Sequence, residues 1–188
     1  MRWQQLFADL SAQFEEEEAA AERGESASRE RTETGALRLA DRLGGAVGQP
    51  VVLGCRGAGR VSGVLTDVGV DWVLLEDERG IESLVASAAV TTVGGLGRRT
   101  APPADGPVHV RLDLRRALKQ LARDRAVVQL VVDDGEALTG TIDRVGADYL
   151  ELAEHPADEP RRVEAVRGVR AVVLGAVVVA RTVPGGLV

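Results

Sequence analysis

The stretch Val128-Gln129-Leu130-Val131-Val132-Asp133-Asp134-Gly135-Glu136-Ala137-Leu138-Thr139-Gly140-Thr141-Ile142-Asp143-Arg144-Val145-Gly146-Ala147-Asp148-Tyr149-Leu150-Glu151-Leu152-Ala153 decides how this chain is read. It opens within an apolar run, Val127–Val132, of strand composition. Asp133-Asp134-Gly135 is a hairpin signal, because Asp and Gly tolerate the positive φ angles of tight turns. Ala137–Val145 and Asp148–Ala153 continue as strands, with Gly140 and Gly146 where a strand can bend sharply. The same pattern stands 77 residues earlier. Placed without a gap over Val51–Glu76, seven of 26 pairs are identical: Val51/Val128, Leu53/Leu130, Gly63/Gly140, Val68/Val145, Gly69/Gly146, Asp71/Asp148 and Leu75/Leu152. About two or three identities are expected by chance from so skewed a composition. Ser62/Thr139, Leu65/Ile142 and Trp72/Tyr149 keep their chemistry, and the offset also pairs Leu37, Arg38 and Ala40 with Leu114, Arg115 and Ala117. Ala89-Val90 then matches Ala176-Val177 if the second copy carries ten extra residues. A duplicated unit is the expectation.

Each copy reads as a helix followed by short strands. Val110, Leu114, Ala117, Leu118 and Leu121 recur at helical spacing ahead of the second set. His155–Pro160 forms a polar loop, and Arg162–Leu174 and Ala176–Ala180 supply two further β-rich segments. Five short, bent, antiparallel strands suggest a small closed barrel, since closure removes free edges. The expected fold is therefore α+β, mainly β: two tandem five-stranded small barrels, each preceded by a helix, plus an N-terminal amphipathic helix. The boundaries are an acidic helical segment over 1–35, a helix plus first barrel over 36–97, and a Pro/Gly-rich linker over 98–108. A helix plus second barrel over 109–183 and a tail over 184–188 complete the chain.

The order helix, then five bent strands, resembles that of Sm-like proteins, the family of the bacterial RNA chaperone Hfq. Gly140-Thr141-Ile142-Asp143-Arg144-Val145 followed by Tyr149-Leu150-Glu151-Leu152 is similar to the first Sm motif, and Gly63-Val64-Leu65 with Val68 and Trp72–Leu75 repeats it. Ala176–Val179 and Ala89-Val90 with Val93 look like the closing strand. The resemblance implies Sm-like (SH3-like) barrels that assemble through strand edges. It does not extend to the family's base-binding residues: Gly146-Ala147-Asp148 and Gly69-Val70-Asp71 stand where a polar and a flat side chain would hold a base. An acid there repels phosphate and offers no face for stacking. The family's Lys-His pair aligns with Leu174-Gly175 and Ser87-Ala88. The departure favours a scaffold or self-association role over RNA chaperoning.

Composition agrees with a folded, non-secreted protein. The chain is 188 residues long and 45% hydrophobic, enough for one ordinary domain or two small ones with a buried core. Its single Cys cannot staple a secreted scaffold, which points to the cytoplasm. No window reaches the ~18 apolar residues of a membrane span, and Met1–Gln5 lacks a signal-peptide pattern. The net charge of −6 sits almost wholly in residues 1–35, which hold nine acids against four arginines.

The N-terminal segment places Trp3, Leu6, Phe7, Leu10 and Phe14 on one helical stripe. Burying each large side chain is worth roughly 1.5–3 kcal/mol, so the stripe is expected to cover a barrel or to dock a protein partner or second copy. Glu15–Glu18 follow directly, which disfavours an anionic membrane surface. Arg111, Arg115 and Lys119 share one face of the second-copy helix; with Arg116 and Arg123 they form a basic stretch for a nucleic acid or an acidic partner. A solvated face is the more ordinary reading of such charges. Asp71-Trp72 and Asp148-Tyr149 recur as an acid–aromatic pair, read as a turn or groove device in preference to a recognition site. Cys55 reads as a small buried hydrophobe, and His109 and His155 have no ligand-spaced neighbours. Gly57-Ala58-Gly59 and Gly94–Gly97 lack the Lys-Ser/Thr of a phosphate loop. No catalytic set, cofactor or metal is expected. The leading reading is a cytoplasmic scaffold with protein partners or self-association, with nucleic-acid regulation the alternative.

Overall fold

Val127–Val132 and Ala137–Val145 pair as an antiparallel hairpin around Asp133–Glu136, where Gly135 takes φ 92° and Glu136 N–H bonds the Asp134 carboxylate. This is the turn chemistry that Asp-Gly supplies. The fold is that of a computed structural model, which describes residues 35, 37–97, 99–100, 112–158 and 165–183. The first 34 residues, most of the linker and the tail lie outside the described residues, as do Trp3, Leu6, Phe7, Leu10, Phe14, His109 and Arg111.

A short helix α1 (Leu39–Gly44) precedes strands β1 (Pro50–Cys55), β2 (Gly59–Val68), β3 (Trp72–Glu76), β4 (Glu82–Ala86) and β5 (Val90–Gly94). Helix α2 (Leu114–Arg123) precedes β6 (Val127–Val132), β7 (Ala137–Val145), β8 (Tyr149–Glu154), β9 (Gly168–Val173) and β10 (Val177–Thr182). One turn of 3₁₀ helix leads into each last strand, Ser87–Ala89 before β5 and Leu174–Ala176 before β10. Ladder registers in the two halves coincide at an offset of 77: Val51 faces Gly63 as Val128 faces Gly140, and both long strands slip register at matching places, Leu65/Asp67 and Ile142/Arg144.

Two closed five-stranded barrels, however, do not form. The ten strands make one open antiparallel sheet in the order β5-β1-β2-β3-β4-β10-β6-β7-β8-β9. Closing the first half would require β4 to bond β5. Only the three-residue 3₁₀ turn separates them, and it delivers β5 onto β1 on the far side of the sheet. The backbone groups of the β4 edge are then satisfied by β10, with Val179 facing Val85, Ala180 facing Leu84 and Arg181 facing Ser83. An uncovered edge is the costly alternative. The helices are also unequal: α1 has six residues, and α2, with ten, packs against β7.

The hydrophobic core is continuous across the β4–β10 junction. Leu53, Leu65, Leu75 and Val85 from the first half join Leu130, Ile142, Leu150, Leu152 and Val179 from the second, all at most 1% exposed. At Gly63 and Gly140 the neighbouring strand's backbone closes on β2 and β7: a Cβ on Gly140 would lie 2.0 Å from the Ala153 carbonyl oxygen, and on Gly63 2.5 Å from that of Glu76. We expect Gly140→Ala to destabilise the fold by about 1–3 kcal/mol through overpacking, read as a lower urea midpoint; an unchanged midpoint refutes this account of the close approach.

Candidate functional site

The sheet leaves three features where function can reside: a cleft at the junction of the halves, a groove over the first half, and the two outer edges. The junction cleft, about 230 Å³, is lined by charged Arg56, Asp71, Arg115 and Asp133 and by apolar Leu114, Leu174 and Val178. Its charges are largely committed to the fold. Asp71 Oδ1 accepts the Leu114 N–H at 2.6 Å, and Trp72 Nε1–H donates to the Leu112 carbonyl at 2.8 Å. Val70 N–H reaches the same carbonyl at 3.3 Å. Asp113 completes the start of α2 by accepting from Arg116 N–H at 2.8 Å. A helix N-terminus exposes unpaired N–H groups and partial positive charge, so two carboxylates there are both hydrogen-bonded and electrostatically favoured. Asp71-Trp72 of the first half thus seats the helix of the second.

The matching pair behaves differently. Asp148 and Tyr149 repeat the backbone role, since Asp148 C=O accepts from Leu174 N–H at 2.8 Å as Asp71 C=O accepts from Ser87 N–H at 2.8 Å. Gly69 and Gly146 lie under the aromatic rings: a Cβ would come within 2.2 Å of Trp72 and 2.4 Å of Tyr149. The shared Gly-x-Asp-aromatic pattern is therefore a turn that folds a ring back over glycine. Yet the Asp148 carboxylate is exposed, and among the described residues no helix starts against it.

In the basic stretch, Arg115 Nε–H donates to the Gly146 carbonyl, tying α2 to the β7–β8 turn. Arg116 and Arg123 are exposed and Lys119 is half-buried, while Arg111 is outside the described residues. Just past the end of α2, Arg125 stands at φ 51°, a left-handed conformation more often given to Gly. Of the described basic residues in this stretch, the lining of the junction cleft takes only Arg115.

Cys55 is 6% exposed, and burial pushes its thiol above the usual range, with Arg181 opposing more weakly. A nucleophile needs the thiolate, so this environment suits a packing role. His155 is 3% exposed; its Nε2 lies 2.8 Å from the Thr141 hydroxyl and its Nδ1 2.8 Å from the Pro156 carbonyl. A carbonyl only accepts, so Nδ1 carries a proton, and both ring nitrogens are occupied in holding the β7–β8 end together. No cluster of three or more His, Cys, Asp or Glu among the described residues is arranged to hold a metal. The groove over the first half, about 700 Å³, is lined by apolar residues such as Val52 and Val64 and by charged Glu76, Asp77, Glu78 and Arg79.

Sequence reasoning did not find Leu112, whose carbonyl anchors the Trp72 indole, because a backbone acceptor 40 residues away leaves no signal. Nor did it single out Arg170 on β9. Its guanidinium bonds Glu136 at 2.6 Å and Glu154 at 2.8 Å, and its pKa is raised first by the hydrogen bond to Glu136. Among the described residues no helix is long and apolar enough to cross a membrane. Comparison of the chain with protein-family models, curated proteins and solved structures finds no match.

Two outcomes test this geometry. Asp71→Ala should cost about 1–2 kcal/mol of stability, as loss of a cap does, and an unchanged melting temperature would refute the docking role. Arg125→Gly should raise stability by about 1 kcal/mol by relieving the left-handed backbone; a lower melting temperature would contradict it.

Proposed function

We propose that this chain is a non-enzymatic interaction protein of the cytoplasm that associates through the edges of its sheet. The observation that carries the reading is β9. Its side chains Val169 and Val173 are 60% and 61% exposed, and its outer edge is unpaired among the described residues. Large apolar residues on an open strand edge are a template for another strand. On the opposite rim the outer edge of β5 is likewise unpaired among the described residues. The reading includes descent of the two halves from one duplicated unit, supported by the coincident ladder registers, and kinship to Sm-like proteins, supported by the Gly63 and Gly140 segments. The lone, buried Cys55 supports a reducing compartment. Nucleic-acid binding through Arg111, Arg115, Arg116, Lys119 and Arg123 has less support, because Arg115 is engaged with Gly146.

The test is the solution mass of the full chain against a Val169→Asp, Val173→Asp variant, by sedimentation at micromolar concentration. The 19.8 kDa chain should sediment as a multimer, and the variant should lose that mass while keeping its β-sheet circular dichroism. A single-chain mass for the unsubstituted protein, or a variant that stays multimeric, overturns the reading.

A further inference from the structure

The groove over the first half lies on one face of the sheet, away from the ladder groups of the strand edges. Val64 on β2 faces Pro50 on β1 and Glu76 on β3, and Glu76 faces Glu82 on β4. Residues directly opposite in an antiparallel ladder share a face, so these four side chains form one row. Val52 faces Ser62, two residues before Val64, and belongs to the same side. Val52 and Val64 are each 42% exposed, and Glu76 and Glu82 are exposed beside them.

The second half shows that the fold does not require this composition. Its matching row is Val127, Thr141, Ala153 and Val169. Val127, Thr141 and Ala153 are at most 5% exposed, and His155 lies 2.8 Å from the Thr141 hydroxyl. At the offset of 77, Val64 stands for Thr141, Val52 for the half-buried Gln129, and Glu78 for His155. Aliphatic side chains therefore stand where this face is open and polar ones where it is covered, the reverse of what water alone favours. Glu76 and Glu82 likewise stand for the uncharged Ala153 and Val169. Like charges directly opposite, with Cβ atoms about 5 Å apart, destabilise a ladder. Among the described residues no basic side chain pairs with Glu76, Glu78 or Glu82, and Arg79 is the one cation in the described lining.

We infer that this groove binds an extended segment of a partner protein bearing an aliphatic side chain and, two residues on, Lys or Arg. The aliphatic group covers Val52 and Val64, and the cation sits between Glu76 and Glu82, relieving their repulsion. The spacing agrees. From Val64 to midway between the two carboxylates is one and a half strand separations, about 7 Å, and alternate side chains of an extended chain stand about 6.6 Å apart. A groove of about 700 Å³ holds several side chains. The turn beside it is set before the partner arrives, since the Asp77 carboxylate accepts the N–H groups of Arg79 and Ile81 at 2.8 and 2.9 Å. Carboxylates repel phosphate, so the chemistry of this face selects a basic protein segment over a nucleic acid.

The probe is a fluorescein-labelled, capped peptide of valine-serine-arginine repeated twice, titrated with the full chain at low salt and read by anisotropy. Saturable binding is expected. Val52→Gln, Val64→Thr gives this face the second half's residues and should weaken binding by about tenfold. Glu76→Gln, Glu82→Gln should weaken it as much while raising the melting temperature, because the like-charge pair is gone. No binding to the unsubstituted chain overturns the site, as does equal binding of a valine-serine-glutamate peptide. Undiminished binding to the Val52→Gln, Val64→Thr chain overturns it too, since general charge attraction ignores those positions. Deleting residues 184–188 should leave the affinity unchanged; a gain would mean that this tail fills the groove, and would overturn a separate partner. A fall in the chain's own solution mass on Val52→Gln, Val64→Thr would make the occupant a second copy, with the same consequence. Peptide binding does not draw on the β5 and β9 edges, so this site and the edge reading stand or fall separately.

Discussion

The structure depends on the ladder between β4 and β10. It joins two segments nearly a hundred residues apart, brings Val85 and Val179 to full burial, and makes one core out of what would otherwise be two small ones. A five-stranded unit alone has little interior and two open edges. Sharing one edge removes two of the four, and the continuous apolar interior supplies the burial that small units lack. The junction cleft, the seat of α2 and the exposure of β9 all follow from which edge was covered.

One local pattern shows how the same residues acquire different roles. Gly69-Val70-Asp71-Trp72 and Gly146-Ala147-Asp148-Tyr149 build the same turn, with the ring over the glycine and the Asp carbonyl holding the segment into the last strand. Among the described residues only Asp71 has a helix start against its carboxylate, because the second half's helix lies beside the first half. The repeated Asp read as a turn device in both places. Its further work as a cap on α2 depends on a contact 43 residues away, and no local rule reveals that.

Much of the β-structure was legible. Val127–Val132 and Ala137–Val145 emerge as strands over the residues that apolar runs and the Asp-Gly turn marked out, because those signals act within a few residues. Burial of Cys55 and the turn role of Gly57, at φ 68°, were equally local matters. Helix-face reasoning about Arg115 was less informative: spacing placed it on a basic stripe, while the β7–β8 turn packed beside α2 makes it a ligand for the Gly146 carbonyl. The expectation of barrel closure failed for a related reason. Strand count and bending make closure plausible, but closure is decided by which edge each strand meets.

The sequence by itself determined the apolar strands and the Gly-containing turns that join them. Those properties arise from backbone preference and apolar periodicity over short spans. Only the tertiary structure decided that β4 meets β10 in place of β5, that Asp71 caps α2, and that β9 and β5 remain the outer edges. Strand edges carry the same N–H and C=O groups whatever their side chains, so partner choice is settled by chain connection, by complementary side-chain sizes across the ladder and by the apolar surface that each pairing buries.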